Sequence, residues 1–125
     1  MSKSSQIAPD GWHAVTPRIF ATNARQMVEF LTHTFGASGE YRIDRPSVIQ
    51  IGDSIVMVTG AELRGATATF LYVYVTDVDS AYERALECGA TSIEAPQLVP
   101  YGDRRCMVKD PSGNTWQIAT RAELL

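Results

Sequence analysis

The side chains best suited to chemistry lie in one short polar segment, Pro100 to Arg105, which reads PYGDRR. Tyr101 could share a hydrogen bond with a bound molecule, and the planar guanidinium of Arg105 could hold an anionic group through two parallel hydrogen bonds. The alternative is a plain turn in which Asp103 pairs locally with Arg104 or Arg105. The sequence leaves both interpretations open.

The histidines and cysteines give weaker indications of chemistry. His13 precedes the first predicted strand, and His33 lies between apolar positions of the first predicted helix, where we expect it to face solvent, so neither is predicted to bind a metal. Cys106 has no histidine or carboxylate next to it in the sequence to activate it as a nucleophile. We expect Cys106 and Cys88 to be free thiols in a reducing, cytoplasmic compartment.

Composition narrows the possible partners. The chain has 125 residues, 20% of them charged, a formal net charge of -3 and scattered lysines and arginines, so we expect one domain and no nucleic-acid partner. No apolar run reaches the length of about 18 residues that a membrane helix needs, so no membrane partner is expected. Residues 1–11 are predicted to be a flexible N-terminal tail.

The elements that must position these side chains follow from periodicity and turn residues. In the first half we predict a strand over 14–22, which is either an edge strand or bonded mainly on one side, because Pro17 lacks an N–H. A helix over 24–35 follows, capped by Asn23 and ended by Gly36. A hairpin follows, with strands at 47–51 and 54–59 around Gly52-Asp53, and residues 40–43 could add a short strand before it.

The second half repeats this order. We predict a strand over 69–76, a helix over 78–88 capped by Asp77, a transition at 93–98, and a hairpin of 105–109 with 114–120. Thr22-Asn23 corresponds to Thr76-Asp77, and Gly36-Ala37 corresponds to Gly89-Ala90, at offsets of 54 and 53 residues. The repeat is the organising feature of the chain, although two β-α units could also arise by chance in an α+β domain.

Three segments carry a family resemblance. They are FATNA through VEFL to FGA at 20–37, VTDVD through AY to GA at 75–90, and KDPSGNTWQ at 109–117, the last being the most specific. On these segments the chain resembles the glyoxalase/bleomycin-resistance (vicinal oxygen chelate) superfamily. The resemblance implies an α+β fold of two βαβββ modules, at about 12–62 and 67–122 of a single domain over 12–125. Each module curves a mixed sheet around a cavity with its helix on the convex face, and the usual assembly is a homodimer.

The resemblance also locates the positions where glyoxalases and dioxygenases hold a divalent metal with histidine and glutamate. In this chain those positions hold Thr16, Met57, Phe70 and Gln117. The hydroxyl, thioether, phenyl and amide side chains of these four residues do not together form a site for a hard metal ion. We therefore expect no metal or other cofactor, and no classical metal-dependent glyoxalase or dioxygenase activity.

Side-chain alternation along the strands then predicts what lines the cavity. Aromatic and apolar walls would come with a few polar groups, which suits a flat organic ligand. The predicted ligand-binding residues are Arg18, Phe20, Met57, Phe70, Tyr72, Tyr74, Tyr101, Arg105 and Gln117, with Gln50 as a further polar candidate. The aromatic residues could equally fill the interior or a dimer interface.

Three functions fit these expectations. The first is metal-independent binding of a small aromatic or antibiotic-like molecule. The second is a divergent enzyme, lyase or dioxygenase-like, that acts on a small organic substrate through tyrosine, arginine or glutamine. The third is an accessory dimer with no small ligand. The fold does not decide among them, because one scaffold carries many chemistries.

Overall fold

A computed structural model of the protein describes residues 7–62 and 65–125. The first module contains β1 (Arg18–Ala21), α1 (Ala24–Phe35), β2 (Ser47–Ile51) and β3 (Ser54–Gly60). The second contains β4 (Phe70–Tyr74), α2 (Val78–Glu87), β5 (Thr91–Leu98), β6 (Arg104–Lys109) and β7 (Thr115–Thr120). A 3-10 turn at Ala122–Leu124 follows. Of the tail predicted over residues 1–11, residues 1–6 lie outside the described residues.

Each module forms a mixed sheet whose first strand pairs in parallel with its last. The strand orders are β1-β3-β2 and β4-β7-β6-β5, with all other pairs antiparallel. This is the predicted α+β architecture of two βαβββ modules. In the first module the second strand is reduced to an isolated bridge between Ser38 and Gln50.

Both helices begin and end where local chemistry specifies. The side chain of Asn23 accepts a hydrogen bond from Gln26 N and caps α1, which ends at Gly36 in the left-handed conformation. Asp77 caps α2 in the same way through Ser80 N. The predicted helix over 24–35 is confirmed, and that over 78–88 is one residue too long.

Both helices share one core with the sheets. Phe30 and Phe35 of α1 contact the fully buried Trp116 of β7, with ring centroids 6.1 and 5.2 Å apart. The helices also contact each other, since Arg84 Nε donates to Thr34 O and His33 Nε2 lies 2.9 Å from Glu87 Oε1. The helices therefore cover one face of each sheet, and on the other face side chains such as Phe70 and Tyr74 remain exposed.

Three predicted strand assignments need correction. The first strand begins at Arg18, not at residue 14, because Pro17 contributes only its carbonyl, which accepts from Met57 N. Residues 40–43 form no strand. The predicted transition at 93–98 belongs to β5, an edge strand whose pairing with β6 is interrupted by two register shifts.

No helix in the described part of the chain is long and apolar enough to cross a bilayer.

Candidate functional site

Strand β4 presents its aromatic side chains on the face that no helix covers. Leu71 and Val73 pack against the core, so Phe70, Tyr72 and Tyr74 point to the opposite side and remain 63%, 37% and 60% exposed. We call these three residues the aromatic face. Aromatic side chains that remain this exposed within one protein chain indicate a surface for a ligand or a second molecule.

Two neighbouring strands add polar groups beside the aromatic face. Gln117 of β7 lies directly opposite Tyr72, and Ala119 lies opposite both Tyr74 and Arg105 of β6. Cys106 is buried in the core, so alternation turns Arg105 toward the aromatic face. The predicted residues of the second module are therefore brought together on one sheet face.

A directed chain of hydrogen bonds orders this surface. Tyr72 and Tyr74 both donate to Asp103 Oδ2, at 3.0 and 2.8 Å, and Asp103 is only 6% exposed. The Tyr72 oxygen lies 2.8 Å from the Tyr101 oxygen and accepts a hydrogen bond from it, because the single hydroxyl proton of Tyr72 is donated to Asp103. Arg105 Nη1 donates to Tyr101 at 3.2 Å. We call Arg105, Tyr101, Tyr72, Tyr74 and Asp103 the tyrosine–aspartate network. It begins at the Arg105 guanidinium and ends at the Asp103 carboxylate.

The network keeps the phenols of Tyr72 and Tyr74 protonated. Burial, followed by the hydrogen bonds with Tyr101 and Asp103, raises the pKa of Tyr72 far above its usual range. The hydrogen bond to Asp103, followed by burial, raises the pKa of Tyr74. Both hydroxyls therefore stay protonated at neutral pH and act as hydrogen-bonding groups, not as bases.

Two residues of this site, Asp103 and Glu94, were not predicted from the sequence. Local pairing of Asp103 with an arginine does not occur: Arg104 forms two hydrogen bonds of 2.9 Å with Asp79 on the helix side of β6. Arg105 instead forms a hydrogen bond of 3.2 Å with Glu94. No sequence signal reveals these partners, because they depend on which face each strand residue takes.

The remaining predicted residues lie on the other sheet. Arg18 lies opposite Met57, and Phe20 lies opposite Thr59, so these side chains share one face of the first sheet. Arg18 and Phe20 line a pocket of about 780 Å³ near the start of α1. Across the described residues, no hydrogen bond or ring contact joins Arg18, Phe20 or Met57 to the tyrosine–aspartate network.

A second pocket of about 310 Å³ borders the aromatic face. Tyr72 and Tyr74 line it together with Pro17 and the β2–β3 turn, including Gly52 and Asp53. This volume is at the lower end of what small-molecule sites occupy. The pocket is open to solvent and also touches Leu71, Val73 and Trp116, so it reaches the ordered tyrosines from the edge of β4.

The side chains at the four positions that the resemblance assigns to a metal are poor donors for a divalent ion. Thr16 precedes β1, Met57 and Gln117 lie in different sheets, and Phe70 has no donor atom. Within residues 7–62 and 65–125, no three histidine, cysteine, aspartate or glutamate side chains are grouped to hold a metal ion.

The other candidate reactive groups have structural partners. His13 Nε2 lies 2.9 Å from Asp53 O, and His33 pairs with Glu87 across the helices while remaining exposed. Burial raises the pKa of the Cys106 thiol to about 11. A thiol with that pKa is protonated at neutral pH and is a poor nucleophile.

Comparison with known proteins agrees with this architecture. The crystal structure of TioX from Micromonospora sp. ML1 superposes with a TM-score of 0.73 and 25% identity, covering 88% of this chain and 98% of that one. A glyoxalase/bleomycin resistance protein/dioxygenase family enzyme from Burkholderia phytofirmans superposes with a TM-score of 0.70 and 22% identity. The match covers 82% of this chain and 94% of that one. An uncharacterized protein of Mycobacterium bovis is 26% identical over 123 residues, covering 84% of this chain and 81% of the relative.

The match to a family model covers most of the chain, from residue 12 to residue 118. Those residues include both helices and nearly all of both sheets. The chain therefore belongs to the Glyoxalase/Bleomycin resistance protein/Dioxygenase superfamily.

Proposed function

We propose that the protein binds a small aromatic or antibiotic-like molecule, without a metal, on the aromatic face of β4. The observation that carries the proposal is the pairing of exposed rings with fixed hydroxyls. Phe70 and Tyr74 are more than half exposed, while the Tyr72 and Tyr74 hydroxyls are held by the buried Asp103.

This arrangement favours binding for two physical reasons. Ring faces that stay in water gain apolar contact and stacking energy when a flat ligand covers them. The network also fixes the phenols before the ligand arrives, so less side-chain entropy is lost on binding. Tyr101 and Arg105 at its cationic end could then orient a polar group of the ligand.

The enzymatic alternative lacks a suitable base in this region. The raised pKa values of Tyr72 and Tyr74 keep both phenols protonated. Asp103 already accepts a hydrogen bond from each of them. A divergent lyase or dioxygenase-like enzyme would need a group that can accept a proton near neutral pH, and the network does not offer a free one.

We further propose that the protein is a homodimer in which each cavity is completed by the second copy. In a single chain the aromatic face is open, and Arg18, Phe20 and Met57 lie on the uncovered face of the other sheet. Pairing the first module of one protomer with the second module of its partner would cover both faces. A ligand would then be enclosed from two sides, as small-molecule sites usually require.

Ligand titration tests the binding proposal. Purified protein would be titrated with acridine, anthraquinone and bleomycin, following the melting temperature and the heat of binding. We expect at least one compound to bind and the Tyr74→Ala variant to bind it about tenfold more weakly, a loss of about 1.4 kcal/mol of stacking and contact. Tyr82→Phe, which alters a tyrosine bonded to Ser92 on the surface, is the matched control.

Two results would contradict the proposals. Equal affinity of Tyr74→Ala and the unmodified protein would remove the aromatic face from the site, and no binding of any compound would favour an accessory dimer. For the assembly, light scattering during gel filtration should give twice the chain mass of 13.7 kDa, and Phe70→Glu should give a monomer. A monomer before any substitution would exclude the shared cavity.

A further inference from the structure

The pocket of about 780 Å³ in the first module has a charge opposite to that of the whole protein. It is lined by Arg18, Arg25, Arg42 and Arg45, and its acidic residues are Asp44 and Glu62. The chain as a whole carries a net charge of -3, so the cluster is not a consequence of composition. Four guanidinium groups around one cavity must be stabilised by something negatively charged or remain in water.

Two of these arginines have no carboxylate partner among the described residues. Arg18 donates from Nε to Thr59 Oγ1 at 3.2 Å, and its guanidinium carbon lies 5.4 Å from the Phe20 ring centroid. The Arg25 guanidinium carbon lies 4.6 Å from the Tyr41 ring centroid. Each guanidinium is therefore held against a ring while most of its N–H donors stay available, which is a suitable arrangement for recognising an anion.

The nearby acidic groups neutralise the pocket only in part. Asp44 forms two hydrogen bonds with its neighbour Arg45, and Glu40 lies 3.8 Å from Arg42. Glu62 forms no ion pair with another described residue. A Cβ atom on Gly60 would collide with the Glu62 carboxylate, so that side chain lies over Gly60.

The start of α1 adds to the positive potential in the same pocket. Asn23 and Ala24 line it, and the first turn of this 12-residue helix contains no acidic residue. Helix N-termini carry a partial positive charge that favours anions. The arginines and the helix therefore act in the same direction.

We propose that this pocket binds an oxyanion, a carboxylate or phosphate group, through Arg18 and Arg25. The inference rests on the proposed function for the identity of the whole ligand, which would be an aromatic molecule carrying an acidic group. The pocket itself needs only residues of the first module. It can therefore be tested with simple anions, and phosphate has no ring to stack on the aromatic face.

The test is calorimetric titration with sodium phosphate and, separately, sodium benzoate, each against sodium chloride at equal ionic strength. We expect phosphate or benzoate to bind where chloride does not, and the stronger of the two to identify the group. Arg25→Ala and Arg18→Ala should each weaken binding about tenfold, since each removes charged hydrogen bonds. Arg121→Ala removes the same charge from a distant surface pair with Glu123 and should change nothing.

A second test uses a variant that should bind phosphate or benzoate more tightly than the unmodified protein does. Glu62→Gln removes the one pocket carboxylate without an arginine partner among the described residues, and should strengthen phosphate or benzoate binding by about twofold to fivefold. Absence of binding by both anions, or equal losses in Arg25→Ala and Arg121→Ala, would overturn the proposal. Anion binding together with failure of every neutral aromatic compound would support this pocket and contradict the proposed aromatic site.

Discussion

The hydroxyl of Tyr74 lies 2.8 Å from Asp103 Oδ2, and the hydroxyl of Tyr72 lies 3.0 Å from the same oxygen. Asp103 precedes β6 and is separated from the two tyrosines by 29 and 31 residues of sequence. One buried carboxylate oxygen therefore ties the β5–β6 hairpin to β4 and fixes the shape of the surface on which we place the ligand.

Removing that carboxylate should destabilise the protein. We expect Asp103→Ala to lower the free energy of unfolding by about 1–3 kcal/mol, because two phenols lose a charged acceptor in a largely buried place. Urea unfolding at a fixed protein concentration measures this change in the free energy of unfolding. Glu123→Ala removes an exposed carboxylate and should cost less than about 1 kcal/mol. Equal costs for the two variants would mean that the network does not hold the hairpin.

The same contacts should be visible in a titration of the tyrosines. The folded pKa values of Tyr72 and Tyr74 are raised above the ordinary value of 10.0, so folding favours the protonated phenols. Their contribution to stability is complete below pH 10 and is lost as the pH rises toward the folded pKa values. Absorbance at the tyrosinate band should therefore show two of the five tyrosines ionising late, and ionising earlier in Asp103→Ala.

The helix boundaries depend on capping residues close in the sequence, so they could be predicted. The strand pairing of β5 and the contacts of Asp103 depend on residues far apart in the sequence. Asn23 and Gly36 specify the ends of α1 by local hydrogen bonds, so its boundaries could be read from the sequence. Strand β5 contains Pro96 and two register shifts, and therefore has no regular alternation to detect. The aromatic residues of β4 were placed on the predicted face, because alternation is a local property. For Asp103 the sequence offers only a local arginine pair as one of two open interpretations, because nothing in its neighbourhood indicates two tyrosines about 30 residues earlier.

The Asp110 turn should prove structural and not part of the binding site. Asp110 is 4% exposed and accepts from Trp116 Nε1 at 2.7 Å and from the backbone and side-chain nitrogens of Asn114. Asp110→Ala leaves these donors unpaired in the core, so we expect a loss of about 2–4 kcal/mol. Tryptophan fluorescence during urea unfolding reports it. A variant of full stability with lost ligand binding would show the opposite role.

Two glycines of the first module should respond differently to alanine. Gly36 has a φ of 65° with open space where a Cβ would be, so Gly36→Ala should cost about 1 kcal/mol from backbone strain alone. Gly39 has a φ of 124°, and a Cβ there would collide with the carbonyl oxygen of Val48 and lie 3.0 Å from Ile49 Cδ1. We expect Gly39→Ala to cost clearly more in thermal unfolding, and equal costs would mean that the loop moves away easily.

A thiol-reactivity assay tests whether Cys88 or Cys106 can act as a nucleophile in the folded protein. Cys106 is fully buried and burial raises the pKa of its thiol to about 11, while burial and the negative charges of Glu87 and Glu29 raise the pKa of Cys88. With Ellman's reagent at pH 7.5, we expect slow reaction of Cys88 and no reaction of Cys106 until urea unfolds the chain, when two thiols should be counted.

The Cys88→Ser variant shows whether Cys88 causes the slow reaction of the folded protein with Ellman's reagent. If it does, the folded variant should not react. The reaction requires a thiolate, and a pKa of about 11 leaves about one Cys106 thiol in three thousand ionised at that pH. Rapid modification of Cys106 in the folded protein would mean that the core opens at β6 on the time scale of the assay. Such opening would expose a nucleophile next to Arg105, and the enzymatic alternative would then have the reactive group that the folded structure withholds.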